Sequence, residues 1–111
     1  MSPTQRTLAY LRKDGWTCQV VERFCHFSQR RIDLFGVIDL VAVRPGETLG
    51  VQATSGANAA ARVTKAKACD GLRAWLEAGN AFQVIGWRVL KRGEKRPTWR
   101  PQIVPVTLED L

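Results

Sequence analysis

The stretch from Gly36 to Ser55 reads GVIDLVAVRPGETLGVQATS, and the fold turns on it. Gly36–Val43 is apolar and β-branched except for Asp39, as a central strand is. Arg44-Pro45-Gly46-Glu47 has the composition of a turn. Thr48–Ser55 then alternates, with Leu49, Val51 and Ala53 on one face and Gly50, Gln52 and Thr54 on the other. Two runs joined by a short turn predict a hairpin.

Asp39 breaks an otherwise apolar run, and an unpaired buried carboxylate is costly. Alternation sets Val37, Asp39 and Val41 on one face, Ile38 and Leu40 on the other. If the hairpin brings Asp39 and Gln52 to one face, a carboxylate, an amide oxygen and the Thr54 hydroxyl converge. Hard oxygen donors of that kind suit Mg²⁺ or Mn²⁺. The alternative is structural: Asp39 pairs with Arg30, Arg31 or a backbone amide.

Outward from this hairpin, Ser2-Pro3-Thr4-Gln5 has the pattern of a capping box with proline at the first helical position. Asp14-Gly15 ends that helix. Trp16–Phe24 reads as a strand and His26–Arg31 as a polar loop. Asn58 is placed to cap a helix over Ala59–Ala78, which Gly79-Asn80 closes. Phe82–Leu90 is a further strand. Trp99–Thr107 carries Pro101 and Pro105, so it fits only a sheet edge. The order α-β-β-β-α-β-β, with no repeat or linker, predicts one α/β domain over residues 1–111, a central mixed sheet flanked by helices.

The chain has 111 residues, 45% of them apolar, enough for a packed core. Seventeen Lys and Arg against 10 acids give +7. That excess points to a polyanion, nucleic acid first, or else to a surface that is merely soluble. Arginine outnumbers lysine, and its planar fork suits phosphate. Cys18, Cys25 and Cys69 form no CxxC pair, which argues against a disulfide framework or a zinc ribbon. No apolar run is long enough to span a membrane.

Gly36–Ser55 resembles the core motif of the PD-(D/E)XK nuclease superfamily, closest to its Holliday-junction-resolvase, VRR-NUC and Mrr-like branches. That pattern has a glycine shortly before an aspartate on one strand. On the next strand, about a dozen residues on, it has Glu or Gln, any residue, then Lys. Asp39 and Gln52 match the first two elements, and the α-β-β-β-α-β order agrees. The resemblance implies a restriction-endonuclease-like fold and Mg²⁺- or Mn²⁺-dependent hydrolysis of DNA phosphodiesters, on branched or junction DNA. It also implies a homodimer. The cysteine usage points to a reducing compartment, and a cytoplasmic protein of prokaryotic, phage or mobile-element origin with no small-molecule cofactor is expected.

Two positions depart from the pattern. Thr54 stands where the catalytic lysine belongs, and the first helix lacks the family's early acid. Asp39, Gln52, Asp33 and the Ala53 carbonyl are then the expected metal ligands, with Asp39, Gln52, Thr54 and Lys65 as the catalytic set. Lys65 or Arg62, one helical face near the strand end, is to stabilise the phosphate. Asp33 and Glu22 are the candidates for the missing acid, although Glu22 fits a solvent-facing strand position.

Arg88, Lys91, Arg92, Lys95, Arg96 and Arg100 form a basic segment able to clamp a phosphate backbone. Trp75 and Trp87 fit a core. Trp99, between Arg96 and Arg100, fits a base-stacking platform. The departures leave a second reading, a nuclease-fold protein that binds DNA or a protein without cutting, and a third, a small protein-interaction module.

Overall fold

The computed structural model describes residues 1–91, 93 and 96–111; Arg92 and Lys95 of the basic segment lie outside the described residues. Helix α1 spans Pro3–Lys13. Its capping box forms as the sequence predicts: the Gln5 amide donates to the Ser2 hydroxyl at 3.2 Å, and the Ser2 amide to Gln5 Oε1 at 2.9 Å. Gly15, at φ +88°, turns the chain into β1, Thr17–Val20. A short ribbon follows, β2 (Arg23–Cys25) against β3 (Arg30–Ile32). Next come β4 (Leu40–Arg44), β5 (Glu47–Ser55), a 3-10 turn, α2 (Ala59–Lys67) and α3 (Asp70–Glu77). Strands β6 (Ala81–Leu90) and β7 (Thr98–Pro105) complete the sheet.

The five-stranded sheet has the order β1-β4-β5-β6-β7. Every neighbouring pair is antiparallel except β5 with β6, which α2 and α3 connect as a crossover. The result is one α/β domain with a mixed sheet between helices. Leu11 of α1 packs on Leu40, Val51 and Ile85 on one face. Ala66, Leu72 and Leu76 of α2 and α3 pack with Ile38, Phe82 and Val84 on the other. On the α1 side the buried Trp87 indole donates to the Thr7 hydroxyl at 2.9 Å. β7 is an edge, as its prolines require. Among the described residues no helix is long and apolar enough to cross a membrane.

Four boundaries differ from the sequence reading. The strand expected over Gly36–Val43 begins only at Leu40. Leu34 and Ile38 instead bridge across a tight turn, with reciprocal bonds of 2.8 and 2.9 Å. Phe35 (φ 54°) and Gly36 (φ +79°) both take left-handed conformations there. The turn breaks alternation, so Ile38 joins Val37 in one cluster rather than facing away from it.

The strand expected over Trp16–Phe24 is interrupted at Val21-Glu22, whose amides both turn onto the Asp39 carbonyl. The expected loop His26–Arg31 is shorter, because Arg30 and Arg31 already belong to β3. The single helix expected over Ala59–Ala78 is two. Cys69 is extended between them, and its thiol donates to the Phe35 carbonyl at 3.1 Å. Asn58 precedes α2 without a side-chain capping bond.

Candidate metal and phosphate site

Two registers meet at Asp39. In the first, Leu40 lies opposite Val51, and the Asp39 amide donates to the Val51 carbonyl at 3.1 Å. The paired register ends there, and the Asp39 side chain reaches on to the Ala53 amide, next to Gln52 in β5. In the second, Asp33 and Asp39 are the residues that flank the bridged turn Leu34–Ile38. Asp33, Asp39 and Gln52 therefore gather at the end of β4, where β5 runs on without that neighbour. Gln52 Nε2 donates to Asp33 Oδ2 at 3.4 Å.

Asp39 is 6% exposed, and Gln52 and Thr54 are buried beside it. The Ala53 amide donates to both Asp39 carboxylate oxygens, at 3.2 and 3.3 Å. Of the structural partners considered for Asp39, the backbone amide is the one the fold supplies. Burial nonetheless pushes the Asp39 carboxyl up to about 7. The Ala53 bond draws it back, while the nearby Asp33 and Glu22 push it further up. The groups that move it most are thus an amide and two carboxylates, with no arginine or lysine among them.

Gln52 Oε1 is buried, and among the described residues it has no hydrogen-bond partner. An orphaned carbonyl oxygen of this kind costs about 1–3 kcal/mol, so it marks a place where a proton donor or a cation is wanted. The Ala53 carbonyl points to the same edge, since Val51 and Ala53 both turn their backbone groups toward Asp39. Among the described residues, no three His, Cys, Asp or Glu side chains come close enough together to hold a metal ion. Amide and main-chain oxygens have to complete the set. A carboxylate, an orphaned amide oxygen and a carbonyl are oxygen donors of the kind Mg²⁺ takes, with waters completing its shell.

Thr54 lies opposite Gly86 of β6 and shares the Gln52 face, but its hydroxyl brings no charge. Arg62 is half-buried and Lys65 exposed on α2. Among the described residues no hydrogen bond or ion pair joins either to Asp39, Gln52 or Thr54. Glu22 does not face solvent as expected. Its side chain is 16% exposed and pairs with Arg31 at 3.0 Å. Sequence reasoning placed it wrongly by extending one strand's alternation through Val21-Glu22, where the strand ends.

In the basic segment, Arg88 lies directly opposite Arg100 across β6 and β7, and Lys91 and Arg96 are exposed. Like charges paired across strands repel, which an anion between them relieves. Arg88 also packs over Gly56, leaving no room there for a side chain. Trp75 is half-buried and donates to the Ala81 carbonyl at 2.7 Å, a structural role. One face of the exposed Trp99 ring is already covered by the Arg6 guanidinium, 3.6 Å from its centroid. Compared with known proteins, the chain matches no family model, no curated protein and no solved structure.

Proposed function

We propose that the chain is a divalent-cation-dependent endodeoxyribonuclease of PD-(D/E)XK type. The observation that carries this reading is the buried Asp39 carboxylate held by the Ala53 amide, next in the chain to Gln52, whose Oε1 has no partner among the described residues. The connectivity supports it. α1, β1, β4, β5, the α2–α3 crossover and β6 follow the α-β-β-β-α-β order of the resemblance, with the β2–β3 ribbon as an insertion.

Asp39, Gln52 Oε1 and the Ala53 carbonyl would hold Mg²⁺ or Mn²⁺, with Asp33 and Glu22 close by. A cation there supplies activation of water and neutralisation of charge on the phosphate. The Ala53 amide fixes the Asp39 carboxylate, and its burial restricts the access of water. Hydrolysis adds water to phosphorus and breaks one P–O ester bond, leaving a phosphomonoester and a free hydroxyl. The exposed basic groups Arg88, Lys91, Arg96 and Arg100 are available to the DNA backbone.

One observation favours a second reading. Thr54 occupies the position of the motif lysine, so a nuclease-fold protein that binds DNA or a protein without cutting is the alternative. Cleavage of branched and linear DNA with Mg²⁺ or Mn²⁺, by wild type and by Asp39→Asn, separates them. The nuclease reading expects cutting that falls by at least ~100-fold in the variant. A wild type that cuts none of these substrates overturns it, and equal cutting by both proteins removes Asp39 from the site.

A further inference from the structure

The β2–β3 ribbon is the part of the fold that the main sheet does not explain, since it forms a two-stranded sheet of its own. Both its ends are rooted in the Asp39 site. At the start of β2, the Glu22 amide donates to the Asp39 carbonyl at 3.4 Å. Just past β3, Asp33 accepts from Gln52 at 3.4 Å.

Register then decides which side chains face the site. Phe24 pairs with Arg31, and Arg23 with Ile32. Alternation puts Glu22, Phe24, Arg31 and Asp33 on one face. The Glu22–Arg31 ion pair is the diagonal contact that this register predicts. Arg31 thus stands on the same ribbon face as two of the site's acids. Its side chain remains 74% exposed, free to exchange Glu22 for a phosphate.

The tip carries Phe27, fully exposed, and Phe24 is nearly half exposed. Arg23 and Arg30 extend the positive charge over the other face. Exposed aromatic rings next to arginines, with Glu22 the one acid between residues 22 and 32, complement a strand of phosphates and unpaired bases.

We infer that the β2–β3 ribbon is the arm that holds a DNA strand over the carboxylate site, with Arg31 on the phosphate beside Asp39 and Phe27 against an unpaired base. Arg31 then carries the positive charge that the motif places at Thr54. The placement of that phosphate rests on the nuclease reading; the capture of DNA by the arm does not.

The test is binding of a labelled single-stranded oligonucleotide and a labelled branched duplex in EDTA, by fluorescence anisotropy over a range of salt. The variants are Arg31→Ala, Arg31→Lys and Phe27→Ala, with Lys13→Ala on α1 as a charge control on the opposite face of the sheet. All three positions are exposed, and circular dichroism checks that each variant folds. Arg31→Ala should weaken binding about 10-fold and lower the slope of log K against log salt by about 1. Arg31→Lys should restore the slope. Phe27→Ala should weaken binding about 10-fold with the slope unchanged.

Wild-type binding by the Arg31 and Phe27 variants, or an equal loss in Lys13→Ala, overturns the arm. The two readings fail separately. Loss of binding in the arm variants of a protein that never cuts DNA with Mg²⁺ or Mn²⁺ sinks the nuclease and keeps the arm. Cutting that is indifferent to Arg31 and Phe27 does the reverse.

Discussion

The main-chain amide of Ala53 donates to both carboxylate oxygens of Asp39, at 3.2 and 3.3 Å, so β5 grips the end of β4 through a side chain where the ladder has stopped. This grip does not offset burial. The carboxyl sits at about 7 rather than 3.8.

A displacement of that size is worth on the order of 4 kcal/mol between the two protonation states. The folded protein holds this proton more tightly than the unfolded chain does. Stability should therefore fall as pH rises from about 4 to about 7, and the full penalty stands above that window. Asp110 shifts in the opposite direction, through its bonds to Thr107, and acts below this window. Asp39→Asn should flatten the decline and raise stability at pH 8 by about 2–4 kcal/mol. Urea unfolding in EDTA at several pH values measures both. A wild-type stability that rises from pH 5 to pH 7, or an unchanged profile in the variant, contradicts the assignment.

Gln52 offers a second sign test. Replacing it by Met removes the orphaned Oε1 but also the bond from Nε2 to Asp33. That bond is long and half solvated, whereas the orphan is fully buried. Gln52→Met should gain about 1 kcal/mol of stability in EDTA. The same change deletes a proposed ligand, so Mn²⁺ affinity, followed by electron paramagnetic resonance, should drop by about 10-fold or more. Destabilisation together with unchanged Mn²⁺ binding would show that Gln52 is only a strand amide.

The third expectation concerns the helix break. Gly71 lies in the first turn of α3, where alanine ordinarily helps by about 1 kcal/mol. Here a Cβ would come within 2.5 Å of the Phe35 carbonyl oxygen and 2.8 Å of the Phe35 Cβ. Gly71→Ala should destabilise by about 1–3 kcal/mol, because α3 must lift off the turn that precedes Asp39. Thermal unfolding reads it directly, and a higher melting temperature would show that the turn yields.

These cases mark what the sequence could and could not say. The capping box at Ser2 and Gln5, the β4–β5 hairpin and the edge placement of β7 rest on local chemistry, and all three were legible. So was the register that brings the end of β4 to residues 51–53 of β5, because turn length fixes the register of a hairpin. The break at Cys69 was not legible, since the partner of its thiol, the Phe35 carbonyl, is distant in sequence. Val37-Ile38 suits a buried turn as well as a strand, and composition alone does not choose. The signal for that turn was Gly36 with Asp33 ahead of it, a pair that favours left-handed backbone and chain reversal. Glu22 and Arg31 were separated into a strand and a loop, so their meeting across a ribbon went unseen.

Thr54 allows the missing charge to be put back. It follows Gln52 by two residues on one face of β5 and adjoins Ala53, whose amide holds Asp39, so a long side chain there is within reach of the carboxylate. A lysine there would set an ammonium against a carboxylate whose titration is now shifted by burial, two acids and the Ala53 amide. Thr54→Lys should pull the Asp39 carboxyl down, because a nearby opposite charge favours the ionised form. The decline of stability between pH 4 and 7 should then shrink, even if the larger side chain lowers stability overall by about 1–3 kcal/mol against Gly86 and Ala59. Reading the slope rather than the absolute stability separates charge from crowding. If the nuclease reading holds, the same variant should cut DNA faster with Mg²⁺ and depend less on Arg31. A carbon-13 titration of the Asp39 carboxyl that stays near 7 in Thr54→Lys would show that position 54 does not address the site, and the match to the motif would then end at Gln52.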